Sequence, residues 1–140
     1  MKALAASCVA LLLPFVSLGQ GASVEEDPFA RYLFPPDRVI GHGLELALTD
    51  AQKVAVRNEV QKAQGKFVDL QFELQGESGK MARLLQEQPV DEAKVLGEVD
   101  RILALEKEIK RMQTSLLVRI KNVLTPAQQA KLLEIQAAGK

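Results

Sequence analysis

An all-α chain is predicted by three observations: apolar residues recurring at helical spacing over two long stretches, no convincing alternating strand pattern, and a helix-capping string that occurs twice. The two copies are Leu48-Thr49-Asp50-Ala51-Gln52 and Leu124-Thr125-Pro126-Ala127-Gln128, 76 residues apart. Each reads as a capping box: the N-cap Thr accepts from the N3 backbone N–H, and Gln at N3 reaches back to the N-cap N–H. Losing a Thr cap costs about 1 kcal/mol. Pro126 stands at N1, where a missing N–H and a fixed φ are harmless. Leu48 and Leu124 stand at N′, placed to staple against N4. The architecture expected is a long antiparallel helical hairpin with short flanking helices.

The chain opens with Lys2 and an apolar stretch from Ala3 to Leu18, broken by Ser7, Pro14 and Ser17 and followed by Gly19, Gly21 and Ala22. That is the layout of a secretory signal peptide over residues 1–21. The stretch is shorter than the roughly 20 residues of a membrane span, so no stable membrane insertion is expected after cleavage. Cys8 falls inside the apolar region and leaves with it. The remaining chain holds 17 basic and 18 acidic residues, a net charge of −1. That balance offers no support for nucleic acid as a partner.

Residues 22–36 read as a flexible arm, with Glu25-Glu26-Asp27, then Phe29, Tyr32, Phe34 and the breaker Pro35-Pro36. The helical domain is expected over 37–140. It begins with a short helix over 37–47 that Gly41 and Gly43 interrupt. From Thr49 to about Gln86, Val56, Val60, Ala63, Phe67, Leu70 and Leu74 alternate in steps of four and three. That is the seam of a helix packed lengthwise on another helix. Gly76 and Gly79 weaken this helix, each by about 1 kcal/mol against Ala. Pro89 stops it, and Asp91 is the natural N-cap of a second helix running to about Asn122. Val95, Val99, Ile102, Leu105, Ile109, Met112, Leu116 and Ile120 mark that helix's apolar face. Leu96, Leu103 and Leu117 widen it enough to touch two neighbours. A last helix runs from Pro126 to about Ala137.

Catalytic chemistry is not expected. His42 is the only histidine and lies between two glycines. With Glu45 it could supply two metal ligands, whereas a catalytic zinc site takes about three and a closed one about four. Glu73/Glu77 and Glu106/Lys110 suit surface electrostatics between successive turns. Lys107, Lys110 and Arg111 read as a solvated face. No glycine-rich run follows a strand, so there is no phosphate loop, and no cofactor is expected. Val68 and Phe72 point away from the seam, because two residues on is about 200° round a helix. They are candidate contact residues, together with Leu74 and the flanking charges Arg57 and Lys66.

The paired Leu-Thr-x-x-Gln strings, the leader and the all-helical pattern resemble the Spy/CpxP family of periplasmic proteins over about residues 37–137. The resemblance implies a hooked four-helix subunit, clasped with a second copy into an antiparallel dimer. It also implies ATP-independent binding of unfolded client proteins and, in some members, repression of a sensor kinase through its periplasmic domain. Other relatives sense heavy metals. Leu48, Thr49, Gln52, Leu124, Thr125 and Gln128 carry over as structural signature positions. One histidine and two methionines after the leader depart from the His-rich or His/Met-rich pattern of the metal-sensing relatives. The near-neutral balance departs from the basic cradle of the chaperones.

Overall fold

The computed structural model describes residues 29–139; the leader and the acidic trio at 25–27 lie outside that range. Among the described residues there are four α-helices and no strand. A 3-10 turn at Ala30–Tyr32 leads into α1, Pro36–Gly41. The two long helices are α2, Asp50–Gln86, and α3, Glu92–Val123, and α4 spans Pro126–Ala138. The 37 residues of α2 rise about 55 Å at 1.5 Å each. It packs along α3 as the antiparallel hairpin the spacing predicts.

Every expected start signal is in place. Thr49 and Thr125 each make the full capping box, and the Asp91 side chain accepts from the Lys94 N–H at 3.2 Å. The C-terminal carbonyls of α3 also find a partner. Gln129 Nε2 donates to Lys121 O and Leu124 O at 3.0 and 3.1 Å, adding to the Leu124 N–H that reaches Lys121 O at 3.1 Å.

The main core sits at one end of the hairpin, where α1, α4 and the approach to α2 fold over the base of the long helices. Phe34, Val39, Leu48, Val56, Ile120 and Leu132 are among its buried members. Two expectations are corrected here. The end of the arm is not free, since Phe34 is 1% exposed in this core although its backbone is irregular. Lys121 holds it there: its ammonium donates to Tyr32 O at 2.9 Å and lies 5.8 Å from the Phe34 ring centre. Nor do Leu48 and Leu124 staple to N4, because Lys53 and Gln129 occupy N4; both leucines drop into the common core instead.

Away from that end only two helices remain, and their seam carries the packing. It includes buried Leu70 and Ile109. The α2 seam continues past Leu74 through Glu77, Met81 and Leu84, all partly buried, in the same steps of three and four. The α3 face departs from expectation. Glu98, not Val99, is its buried member near the tip, at 1% exposure. Glu77 likewise turns into the seam and does not join Glu73 on the surface.

Candidate functional site

The repeated capping strings meet in space. Gln52 Nε2 donates to Gln128 Oε1 at 2.8 Å, and Gln128 Nε2 donates back to Gln52 Oε1 at 3.1 Å. Each amide also keeps its cap: Gln52 Oε1 accepts from the Thr49 N–H at 3.1 Å, and Gln128 Oε1 from the Thr125 N–H at 2.9 Å. The remaining amide hydrogens go to main-chain carbonyls, from Gln52 to Val123 O at 2.9 Å and from Gln128 to Leu46 O at 3.1 Å. Two acceptor and two donor positions on each glutamine are thereby filled. The pair forms a near-symmetric clasp between the start of α2 and the start of α4.

One step of backbone breaks the symmetry. Val123 immediately precedes Leu124, so Ala47 would be its counterpart before Leu48, yet Leu46 supplies the carbonyl. Ala47 has a φ of 49°, in the left-handed region. That conformation costs an alanine about 1 kcal/mol or more. It turns the chain so that the preceding carbonyl faces Gln128.

The six signature residues are thus brought together. The contact candidates form no single cluster. Phe72 is 69% exposed and Val68 is also exposed, so neither is covered by a flanking helix. Arg57 is exposed, while Leu74 is half-buried at its seam position. Lys66 reaches across the hairpin to Glu108 at 2.6 Å. It lines a shallow cleft of about 410 Å³ with Lys62, Arg111, Arg119 and Glu59. Lys62 and Arg119 both bond Glu59 at 3.1 Å and hold its carboxyl below the usual carboxylate range. Leu96 and Leu103 are exposed on the widened face of α3. They are seven residues apart and share one flank of that helix.

His42 and Glu45 do meet, with Nδ1 3.0 Å from Oε1. Among the described residues no group of three or more His, Cys, Asp or Glu side chains is arranged to hold a metal ion. The residues that periodicity missed are Glu77 and Glu98. Both carboxyls turn into the seam near the hairpin tip, where Glu77 pairs with Lys80 and Glu98 accepts from Arg101 at 2.9 Å. A continued count of three and four from Leu74 reaches Glu77, which was the available signal.

Comparison with known families decides the affiliation. The heavy-metal resistance family matches residues 4–131. The chain belongs to that family. The heavy-metal resistance proteins are related to the Spy/CpxP-like periplasmic helical proteins, in keeping with the hairpin described above. No curated protein matches the chain significantly. No solved structure does either. Among the described residues no helix is long and apolar enough to cross a membrane.

Proposed function

We propose that this heavy-metal resistance family member is a periplasmic, nucleotide-independent holder of unfolded proteins, close in action to the Spy/CpxP chaperones and without enzymatic activity. The observation that carries the reading is the exposure of large apolar side chains on both long helices. Phe72, Leu96 and Leu103 are 69%, 55% and 54% exposed, although α2 and α3 already share a filled seam. Large apolar side chains left uncovered on both long helices offer separate points of contact to an apolar partner. A client covering roughly 100 Å² on one such side chain gains about 2.5 kcal/mol at 25 cal/mol/Å². Much of that is spent on ordering the client. Several such contacts give binding that delays aggregation and still releases without an energy source. A second copy of the chain covering part of the widened α3 face would leave the Val68–Phe72 side of α2 for clients.

The second reading is metal sensing, supported by the family affiliation and the His42–Glu45 contact at 3.0 Å. One assay separates the two. A denatured model client is diluted into the exported protein without ATP, with chelator in one arm and zinc in another, and aggregation is followed by light scattering. Metal-independent suppression near equimolar protein is expected. Suppression only with zinc would transfer the function to the metal reading. No suppression in either arm would reject client holding and leave repression of a sensor kinase, read out by capture of its periplasmic domain.

A further inference from the structure

On one flank of the hairpin, α2 and α3 part into the shallow cleft that Lys66 lines. Its walls are two short ladders of polar side chains. Arg111, Ser115 and Arg119 follow one another in steps of four along α3, and Lys62 and Lys66 do the same on α2. Side chains four apart stand one above the other on a helix face. At 1.5 Å per residue the α3 ladder runs about 12 Å. Lys107, Lys110 and Arg111 therefore do not form one solvated face, because of the three only Arg111 lines the cleft.

Four cations line the cleft against two carboxylates, Glu59 and Glu108, which leaves two positive charges in excess. The chain beyond the leader carries −1 as a whole, so this excess is local. The carboxylates orient the cations without exhausting them. Lys62 Nζ and Arg119 Nη1 each bond Glu59 at 3.1 Å, and Lys66 Nζ lies 2.6 Å from Glu108 Oε1. A guanidinium has five N–H donors and an ammonium three, so each keeps further donors. Among the described residues Arg111 pairs with no carboxylate, and Ser115 Oγ makes no hydrogen bond. Thr114, its neighbour, instead ties its hydroxyl to Lys110 O at 2.9 Å. The ion pairs also set the register. Glu108 stands one turn from Arg111, so Arg111 and Lys66 share one end of the cleft, and Arg119 and Lys62 share the other.

We infer that this cleft binds a phosphate-class dianion: a free phosphate or pyrophosphate, or the phosphomonoester headgroup of a lipid. A phosphomonoester carries about −1.5 to −2 near pH 7 and offers three acceptor oxygens, which matches the two charges in excess. The planar fork of arginine suits phosphate oxygens, and lysine supplies a point charge beside it. A peptide carboxylate brings one charge and two oxygens, and a metal cation is repelled by four positive side chains. Pyrophosphate also suits the two ends: one phosphoryl group meets Arg111 and Lys66, the other Arg119 and Lys62, with the Ser115 hydroxyl between them. Neither Val68 nor Phe72 lines the cleft, so the anion and a client occupy different surfaces.

The test is calorimetric titration of the exported protein with inorganic phosphate and with pyrophosphate, at low salt where exposed charges are least screened. Sedimentation with vesicles of phosphatidic acid and phosphatidylcholine runs beside it, with pure phosphatidylcholine as the blank. Binding of the free anions supports a soluble ligand, and retention on the phosphatidic acid vesicles alone supports the headgroup. Arg111→Met should weaken either by about tenfold or more, the loss of a charge-assisted hydrogen bond. If that variant fails to fold by circular dichroism, Lys66→Met should show the same loss from α2. Lys110→Met removes the same charge from the next position, about 100° round the helix and outside the cleft, and should bind as the parent does. Absence of both kinds of binding, an equal loss in Lys110→Met, or hexaglutamate bound as tightly as pyrophosphate would overturn the site.

Discussion

Substituting Gln128→Glu separates the two roles of the clasp. A glutamate at N3 serves a capping box as well as a glutamine does. Its carboxylate would also be favoured in the first turn of α4, by about 0.5 kcal/mol. If the glutamine only caps, the variant should be neutral or slightly more stable. The structure says otherwise. The Gln128 amide nitrogen donates to Leu46 O and to Gln52 Oε1, both at 3.1 Å, and a carboxylate can donate to neither. Two half-buried hydrogen bonds at about 1 kcal/mol each are lost. A negative charge then faces two acceptor oxygens, which outweighs the dipole gain. The net loss is about 2 kcal/mol, or roughly 8–16 °C in Tm at 4–8 °C per kcal/mol for a domain near 100 residues. The loss should shrink in acid, where the introduced carboxyl regains a proton to donate. The assay is urea and thermal unfolding by circular dichroism at pH 7 and pH 4.5. A destabilisation under about 0.5 kcal/mol at pH 7 would refute the cross-link and reduce both strings to ordinary caps.

Three further outcomes follow from the geometry. Phe72→Ala should change stability by no more than about 0.5 kcal/mol, as expected of an exposed side chain, while weakening the suppression of client aggregation by light scattering. Ala47→Gly should raise stability by about 0.5–1 kcal/mol in urea unfolding, because glycine adopts the positive φ without strain. Arg119→Met should flatten the acid limb of stability against pH. The Glu59 carboxyl is held below its ordinary value of 4.5 by Lys62 and Arg119. Its contribution is therefore present above that value and lost as pH falls below it, and removing one cation narrows the loss.

Much of the fold is legible along the chain because its signals are local. Thr49, Asp91 and Thr125 sit at the helix starts they predict, and the turn follows Pro89. The steps of three and four gave the hairpin. What needed the structure is set by partners distant in sequence. Nothing in either capping string says that its glutamine will meet the other; that depends on α1 and α4 folding back over the same end. Val99 is the apolar choice on α3, yet position 98 is one step of three from Val95 and fits the seam equally. A charged residue is discounted in such a count, although Arg101, one turn on, bonds the buried Glu98 carboxylate at 2.9 Å. Phe34 follows the same logic, since an arm's composition does not reveal the hydrophobic slot it will enter. The exposure of Phe72, by contrast, follows directly from its angle to the Phe67–Leu70–Leu74 line.

The joining of Gln52 to Gln128 closes a loop of 76 residues, a span at which many exported proteins would use a disulfide. Here the chain's lone cysteine, Cys8, lies in the predicted leader. Side-chain amides neither oxidise, nor exchange with thiols, nor change charge across the accessible pH range. The closure therefore forms and reforms with the fold itself, with no oxidant, isomerase or metal to set it. Conditions that scramble thiols or strip metals from other proteins leave this fastening as it was.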